Sequence, residues 1–318
     1  MAKFLFNRLA QAAPVLLGVS FIVFISVYLL PGDVTQQILG LAASEKSIAS
    51  LRGELGLDRP VFVQYILWLG RALAGNLGDS HVMRAPVLDI VAGKALNSLL
   101  LMGASMLLVI TVSPLLAAWA AWKRDSPWDR SIVMVMFLLA SLPTYWLGLV
   151  LILLLAAQVP LFPSAGMNDI ANPGGFGDVL RHLILPTLTT AATSVAIVTR
   201  VTRSAVVDSL SSLYVTAARA RGLSSFSILF RHAFRTALPT FVNISSLQIG
   251  YLFGSAIFTE IVFAWPGIGL LLYNAIISRD GPLVQGCVLV VGLVFVAASL
   301  VSDVLVKWLD VQRESESP

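Results

Sequence analysis

The stretch SLSSLYVTAARARGLSSFSILFRHAFRTALP, residues 209–239, decides how the rest of the chain reads. It carries Arg219, Arg221, Arg231, His232 and Arg235, and no acidic residue occurs between Asp208 and Glu260. Leu210, Leu213, Ala217 and Ala220 recur at helical spacing behind serines that suit an N-cap. Gly222 stands where a helix would end in a left-handed residue, a conformation glycine takes without steric cost. Ser224 suits the cap of a second helix. There Phe226, Leu229, Phe230, Ala233, Phe234 and Ala237 form one apolar stripe, with Arg231 and Arg235 off it. The pattern predicts a cationic, amphipathic elbow of two short helices hung between two apolar spans, which is a docking surface.

The rest of the chain says where the elbow hangs. Of the 318 residues, 57% are hydrophobic and 12% charged, against roughly 25% charged in soluble domains. Several uncharged runs exceed the ~20 residues needed to cross a bilayer. The expected fold class is therefore an all-α, polytopic membrane protein.

Residues 1–30 read as a first transmembrane helix. Lys3 and Arg8 precede an uncharged run from Leu9 to Leu30, longer than the ~7–15-residue apolar core of a secretory signal, so it is read as uncleaved with its N-terminus in the cytoplasm. Residues 31–94 form the one long polar region, read as an external loop. Its segment PVFVQYILWLGRAL suits a helix at the interface or on the outer face, through Val61, Tyr65, Trp68, Leu69 and Leu73.

Residues 95–308 hold the remaining spans and 309–318 a cytoplasmic tail. The second span is Ala95–Trp122, containing Pro114. The third runs from Ser131 to about Gln158 with a break at Pro143, and the Gly/Pro/Asn-rich loop PSAGMNDIANPGGFGD comes after it. The fourth runs from near Leu183 to Arg200 or Arg203, the fifth is Thr236–Thr259 and the sixth Pro282–Ser302. Ile261–Ser278 is also uncharged, but FAWPGIG interrupts it.

Charge settles the count. With six spans, thirteen of the 21 cations lie on the cytoplasmic side, six in the long loop and two, Arg181 and Arg279, in short outer loops. A seventh span would put Lys307 and Arg313 outside. Ile261–Ser278 is accordingly read as re-entrant or surface-lying on the outer side. Both termini are cytoplasmic and the elbow lies between spans four and five.

Several function classes fall away. Ion-coupled carriers keep ionisable residues at mid-membrane; here Glu260 and Asp303 fall near span ends and read as solvated or snorkelling. His81, His182 and His232 lie in separate segments, so no catalytic cluster forms. Cys287 is the sole cysteine, read as a packed thiol. There is no zinc spacing, no basic–aromatic platform for nucleic acid and no G-x-x-x-x-G-K-[ST] phosphate loop. Trp119, Trp122, Trp128, Tyr145, Trp146, Trp265 and Trp308 suit interfacial anchors. The threonine face of span four (Thr187, Thr189, Thr190, Thr193, Thr199) suits either a polar path or interhelical hydrogen bonds. What remains is a membrane subunit without its own power source, driven by a partner. The alternatives are a stand-alone channel or ion-coupled secondary carrier, and a membrane anchor for a cytoplasmic signalling protein. The basic elbow would also suit anionic lipid.

At this point the residues carry a resemblance. TAARARGLSSFSILFRHAFRTALP resembles the coupling, or EAA, loop of ABC-importer permeases, most closely the B-type permease of the dipeptide/oligopeptide branch. Thr216-Ala217-Ala218 with Gly222 stand at the EAA-x3-G positions and RHAFRTALP at the branch's R-H-A-x-R-x-A-L-P region. EIVFAWPGIGLLLYNAIISRDGPLVQG (Glu260–Gly286) resembles the branch's signature after the fifth span, and LGLDRPVFVQYILWLGRALAGNLGDS (Leu55–Ser80) its external region. Thr216 replaces the motif's glutamate, the Gly222-to-Pro239 spacing is longer than in the general loop, and Asp310-Val311 stands where Asp-Pro is usual.

The resemblance implies a type I ABC importer permease fold in the inner (plasma) membrane, multi-pass. Tyr214, Thr216, Ala217, Ala218, Arg219, Arg221, Gly222 and Leu223 would couple to an ATP-binding subunit, apolar anchors setting depth and arginines orientation. Glu260, Phe263, Trp265, Pro266 and Gly267 are outer-face or gate candidates, and Thr189, Thr190 and Thr193 candidate path residues. Implied partners are a second homologous permease, two ATP-binding subunits, an extracytoplasmic substrate-binding protein and membrane lipid. ATP and Mg would sit on the partner subunits, with no cofactor, metal or catalytic residue on this chain. ATPase closure would swing the elbows and flip the spans from inward-open to outward-open. The implied cargo is short peptides or similar small solutes, nickel complexes and glutathione included.

Overall fold

A computed structural model describes residues 2–29, 44, 46–47, 53, 58–169 and 174–316. Most of the expected external region between 30 and 57, with the Leu55–Leu57 start of its resembling block, lies outside the described residues. So do residues 170–173 of the Gly/Pro/Asn-rich loop and the side chains of Trp308 and Asp310. The described chain is helical: α1 (Ala2–Tyr28), α2 (Val61–Leu73), α3 (Val87–Trp122), α4 (Pro127–Ser141), α5 (Thr144–Ile152), α6 (Phe176–Leu210), α7 (Leu213–Ala220), α8 (Ser225–Val262), α9 (Ile268–Ile277) and α10 (Gly281–Glu316). Among the described residues the β-structure amounts to an isolated bridge between Asp79 and Pro86.

Five of these helices are long and apolar enough to cross a membrane: α1, α3, α6, α8 and α10. The expected third span is instead a pair, α4 and α5 with its π-helical extension Leu153–Gln158, bent by 107°. The cause is local. Pro143 pushes the residue before it out of the helical region, and Leu142 is extended at φ −81°, ψ 134°. Counted as one span, the pair makes six. The helices extend past the expected spans at particular ends: α3 begins at Val87, α6 runs from Phe176 to Leu210, and α10 continues to Glu316.

The chain falls into two compact units, Met1–Leu96 with Gly267–Val296, and Asn97–Pro266 with Ala297–Pro318. In the first, Leu77, Val87, Val91, Ile268, Leu271, Ala275, Leu283 and Cys287 form the core. The expected interface helix exists as α2. Its Tyr65 and Trp68 pack on Phe24 of α1, and the Tyr65 hydroxyl bonds Ser20 Oγ at 2.9 Å. At ten residues, α9 is too short to cross. Its Ile268, Gly269, Leu271 and Ala275 are buried, so it does not lie free on a surface.

Gly286 marks the closest approach in this unit: a Cβ there would overlap Val87 Cγ1. Val87 is itself fully buried and β-branched, so it has little room to yield. Gly286→Ala is expected to destabilise the protein by about 1–3 kcal/mol through overpacking. Gly103→Ala, with nothing within 4 Å, is expected to be neutral or mildly stabilising. Thermal unfolding of the detergent-solubilised chain compares the two.

In the second unit α6 is the central helix, packed against α4, α5 and α8. Val109, Met136, Ala191, Val195, Ala196, Val198 and Phe241 form its core. Two sequence expectations fail here. Trp265 is not an interfacial anchor: it is fully buried, its indole Nε1–H donating to Asn97 O at 3.0 Å while Asn97 Nδ2 donates to Pro266 O at 2.9 Å. A satisfied N–H is what makes tryptophan a core residue. Glu260 is not a solvated terminus either. It is 1% exposed, because α8 runs past it to Val262 and the chain then folds back, Trp265 N donating to Glu260 O at 2.9 Å. Trp119, Trp122, Trp128, Tyr145 and Trp146 are exposed.

Candidate functional site

The elbow begins where α6 ends at Leu210. Ser212, one of the serines suited to cap α7, stands at its N-cap but does not cap it through its side chain: its hydroxyl donates backward to Ser209 O at 2.6 Å, a local backbone competition common for serine. The C-terminal end is made by Gly222, at φ +79°, with Leu223 N donating to Ala218 O at 3.3 Å and Gly222 N to Arg219 O at 2.9 Å. That is a glycine-terminated helix end. Ser224 Oγ then accepts from Ser227 N at 3.3 Å and caps the first turn of α8.

The second half of the elbow is not a separate short helix. α8 runs unbroken from Ser225 to Val262, widened to a π-helix over Ile228–Ala233. The expected fifth span, Thr236–Thr259, is thus the middle of a longer helix whose first three turns belong to the elbow. No glycine or proline separates Ser225 from Leu238, and the stripe and span share one helical frame. Leu229, Ala233 and Ala237 pack on Ala118, Ala121, Val206 and Val207. Phe226 and Phe230 stay exposed, their rings 4.6 Å apart.

The apolar stripe read along α7, Leu213, Ala217 and Ala220, faces outward. Val215 and Ala218 face inward against Ile228 and Leu210, leaving Leu213, Thr216, Ala217 and Ala220 on the outside, Leu213 at 89% exposure. Both faces are apolar at helical spacing, and Ile228 of α8 selects between them. Of the candidate coupling residues, Thr216, Ala217, Arg219, Arg221, Gly222 and Leu223 are exposed, whereas Ala218 supports the helix from behind.

Tyr214 is partly exposed, but its hydroxyl reaches inward, bonding Ser209 Oγ and donating to Thr236 Oγ1 at 3.1 Å. It fastens α7 to the end of α6 and to α8. Burial pushes this phenol up, but hydrogen bonds with Ser209, Thr236 and Ser212 outweigh that and hold it below its ordinary pKa.

A neighbouring ion pair escaped the sequence reading. Arg203 of α6 grips Asp129 of α4 through Nε–Oδ1 at 2.6 Å and Nη2–Oδ2 at 2.5 Å. The available signal was a pair of acids, Asp125 and Asp129, among the cations of Lys123–Arg130, and it did not say which of them is held or by what.

Phe263 and Trp265, two of the gate candidates, are buried in the second unit with Glu260, and Gly166 N donates to Phe263 O at 2.8 Å. Gly267 is buried at the start of α9 in the first unit. Pro266 is half-buried and Ala264 exposed, so three of the five FAWPG residues are packed in and the segment is not an open surface throughout. Thr189 donates to Leu185 O within its own helix at 2.9 Å, and Thr190 to Thr259 Oγ1 on α8 at 3.0 Å. For Thr190 this is the interhelical alternative. Thr193 is buried as well. Around them the side-chain oxygens of Thr187, Ser194, Thr199 and Thr202 on α6, and Ser245 and Gln248 on α8, are buried without a hydrogen-bond partner. Among the described residues no three His, Cys, Asp or Glu side chains gather into a metal-holding group.

In the first unit the two other resembling stretches meet on one carboxylate. Asp280, 1% exposed, accepts from Ser80 Oγ at 2.5 Å, Val82 N at 3.2 Å, Leu283 N at 3.3 Å and His81 N at 3.4 Å.

Comparison with known proteins gives this arrangement its family. The family described as "Binding-protein-dependent transport system inner membrane component" matches residues 113–313. The chain belongs to this family. Its companion, "Binding-prot-dependent transport system membrane comp, N-term", matches residues 1–97, so this inner membrane component is covered almost end to end. A putative peptide transport system permease protein of Brucella abortus is 35% identical over 96% of each chain. The di/tripeptide transport system permease protein DppB of Pseudomonas aeruginosa is 34% identical, also over 96% of each. The oligopeptide transport system permease protein AppB of Bacillus subtilis is 30% identical over 99% of this chain and 100% of that one. The structure of the MetNI methionine ABC transporter in inward-facing conformations matches with a TM-score of 0.55 at 18% identity, covering 69% of this chain and 95% of that one. It shows the fold to be that of a type I ABC importer permease.

Proposed function

We propose that this inner membrane component is the permease subunit of an ATP-driven importer of short peptides or related small solutes. It works with a second homologous permease, two ATP-binding subunits and an extracytoplasmic substrate-binding protein. The observation that carries the reading is α7. A short helix packs one face on the ends of α6 and α8 and leaves Leu213, Thr216, Ala217 and Ala220 outward, with Arg219 and Arg221 beside them. Among the described residues no buried cluster includes that face.

A helix presented this way suits a groove in a partner. Small residues at Ala217 and Ala220 let the backbones approach, Leu213 and Leu223 supply apolar anchors, and the arginines set orientation. ATP and Mg would be held by the partner, since this chain has no phosphate loop, and the chain itself would hydrolyse nothing. The charge distribution supports a cytoplasmic elbow and cytoplasmic termini, with residues 31–94 outside, spans within 95–308 and a tail from 309. The names of the relatives support peptides as cargo. Thr189, Thr190 and Thr193, with the orphaned hydroxyls around them, are proposed to face the solute path when α6 and α8 part.

The test is purification of the tagged chain from native membranes in mild detergent, followed by mass spectrometry. Two ATP-binding subunits and a second permease are expected with it. The chain arriving alone or as a homo-oligomer, where other such complexes survive, contradicts the proposal.

A further inference from the structure

The elbow hangs from the last turns of α6, and those turns are held by a device outside the elbow. Arg203 lies six residues before Ser209, or about 9 Å along the helix. Its guanidinium takes both oxygens of Asp129 through Nε and Nη2, the forked geometry that fixes a carboxylate in plane as well as in distance. Asp129 is 3% exposed and is itself held on both sides. Asp125 N, in a left-handed turn at φ +65°, donates to its Oδ2 at 3.0 Å, and its own N–H donates to the capping Ser126 Oγ at 3.3 Å. Beside it, Arg124 Nη1 donates to Ser211 Oγ at 3.4 Å. The Lys123–Arg130 turn is thus bonded to the elbow's root at two points. From that turn α4 leads into the 107° bend and α5, and α5 packs on α6 and α8.

Asp129 is buried and Arg203 half-buried, and such an ion pair adds little net stability over a well-packed apolar pair, so stability alone does not account for it. What an apolar pair lacks is a fixed direction. We propose that Asp129 and Arg203 form a coupling latch. They are positioning residues that lock the root of the elbow to α4, so that displacement of α7 passes into the bent α4–α5 pair instead of being absorbed by flexing of α6. The proposal rests on the importer reading above and assigns that reading a second mechanical route.

The test uses the complete reconstituted complex and reads the amount of labelled dipeptide accumulated per ATP hydrolysed. Asp129→Leu alone leaves a half-buried guanidinium without its partner and is expected to lower folded yield. The double variant Asp129→Leu/Arg203→Met replaces the pair by apolar groups. It is expected to assemble and to hydrolyse ATP, with dipeptide per ATP falling about fivefold or more, the lower end of measured coupling between sites. Arg203→Lys, which keeps the charge and loses the fork, is expected to fall between the double variant and the wild type. A double variant with wild-type dipeptide per ATP overturns the latch. So does one that fails to assemble, because the pair then serves folding. A wild-type complex without ATP-dependent uptake sinks the importer reading itself, and the wild-type control separates that failure from failure of the latch.

Discussion

Gly222→Val is expected to reduce ATP-dependent uptake by about tenfold or more while leaving a folded, membrane-inserted chain. Gly222 stands at φ +79°, a region that a β-branched residue enters only under strain of about 1–3 kcal/mol, and a decade of function corresponds to about 1.4 kcal/mol. Nothing lies within 4 Å of where its Cβ would be, so the effect is conformational and not a clash. Valine would move the turn toward negative φ, break the Leu223 N to Ala218 O bond, and rotate α7 relative to α8. The outward face of Leu213, Ala217 and Ala220 would then no longer meet its groove. Gly222→Asn is the control, because asparagine tolerates the left-handed region, and it is expected to keep uptake within about twofold. Retention of ATP-binding subunits on the tagged chain reads the same effect. Equal behaviour of the two variants would remove Gly222 from the coupling account.

The second large effect is expected at Asp280. Asp280→Ala removes the acceptor of four donors at once: Ser80 Oγ and the backbone N–H groups of His81, Val82 and Leu283. A buried donor left without a partner costs about 1–3 kcal/mol, so a loss of about 3 kcal/mol or more is expected in unfolding of the solubilised protein. The loop that Asp280 holds includes Arg84, a non-glycine residue at φ +52°. Once released, it should become a new site of tryptic cleavage at Arg84. Asp280→Asn keeps one acceptor oxygen and should lose about half as much. An Asp280→Ala protein with unchanged melting and no new cleavage would show that the carboxylate does not hold the loop.

Legibility tracked distance along the chain. The spans were visible because a bilayer-length apolar run is a local property. The elbow's punctuation was visible for the same reason: Gly222 and Ser224 act on residues three to five positions away. What failed was decided by distant partners. Leu213, Ala217 and Ala220 read as an apolar stripe of α7, but nothing local said that Val215 and Ala218 would be the face buried against Ile228. Pro143 announced a break in the third span, but not a 107° bend. Trp265 read as an interfacial anchor because its partner, the Asn97 carbonyl, is 168 residues away. The Asp129–Arg203 and Ser80–Asp280 contacts, 74 and 200 residues apart, leave no periodic trace at all. The resembling stretches nevertheless pointed to the right regions, since Ser80 closes one and Asp280 lies in another.

The central claim is that this chain moves solute only when partners burn ATP against its elbow. The most direct measurement is uptake of a labelled dipeptide by proteoliposomes holding the full complex, with binding protein outside and ATP enclosed with the ATP-binding subunits. The account predicts accumulation above the external concentration that needs both ATP and binding protein and is lost with Gly222→Val. Equilibration without ATP, or accumulation driven by an ion gradient alone, would contradict it and identify the chain as a channel or a secondary carrier.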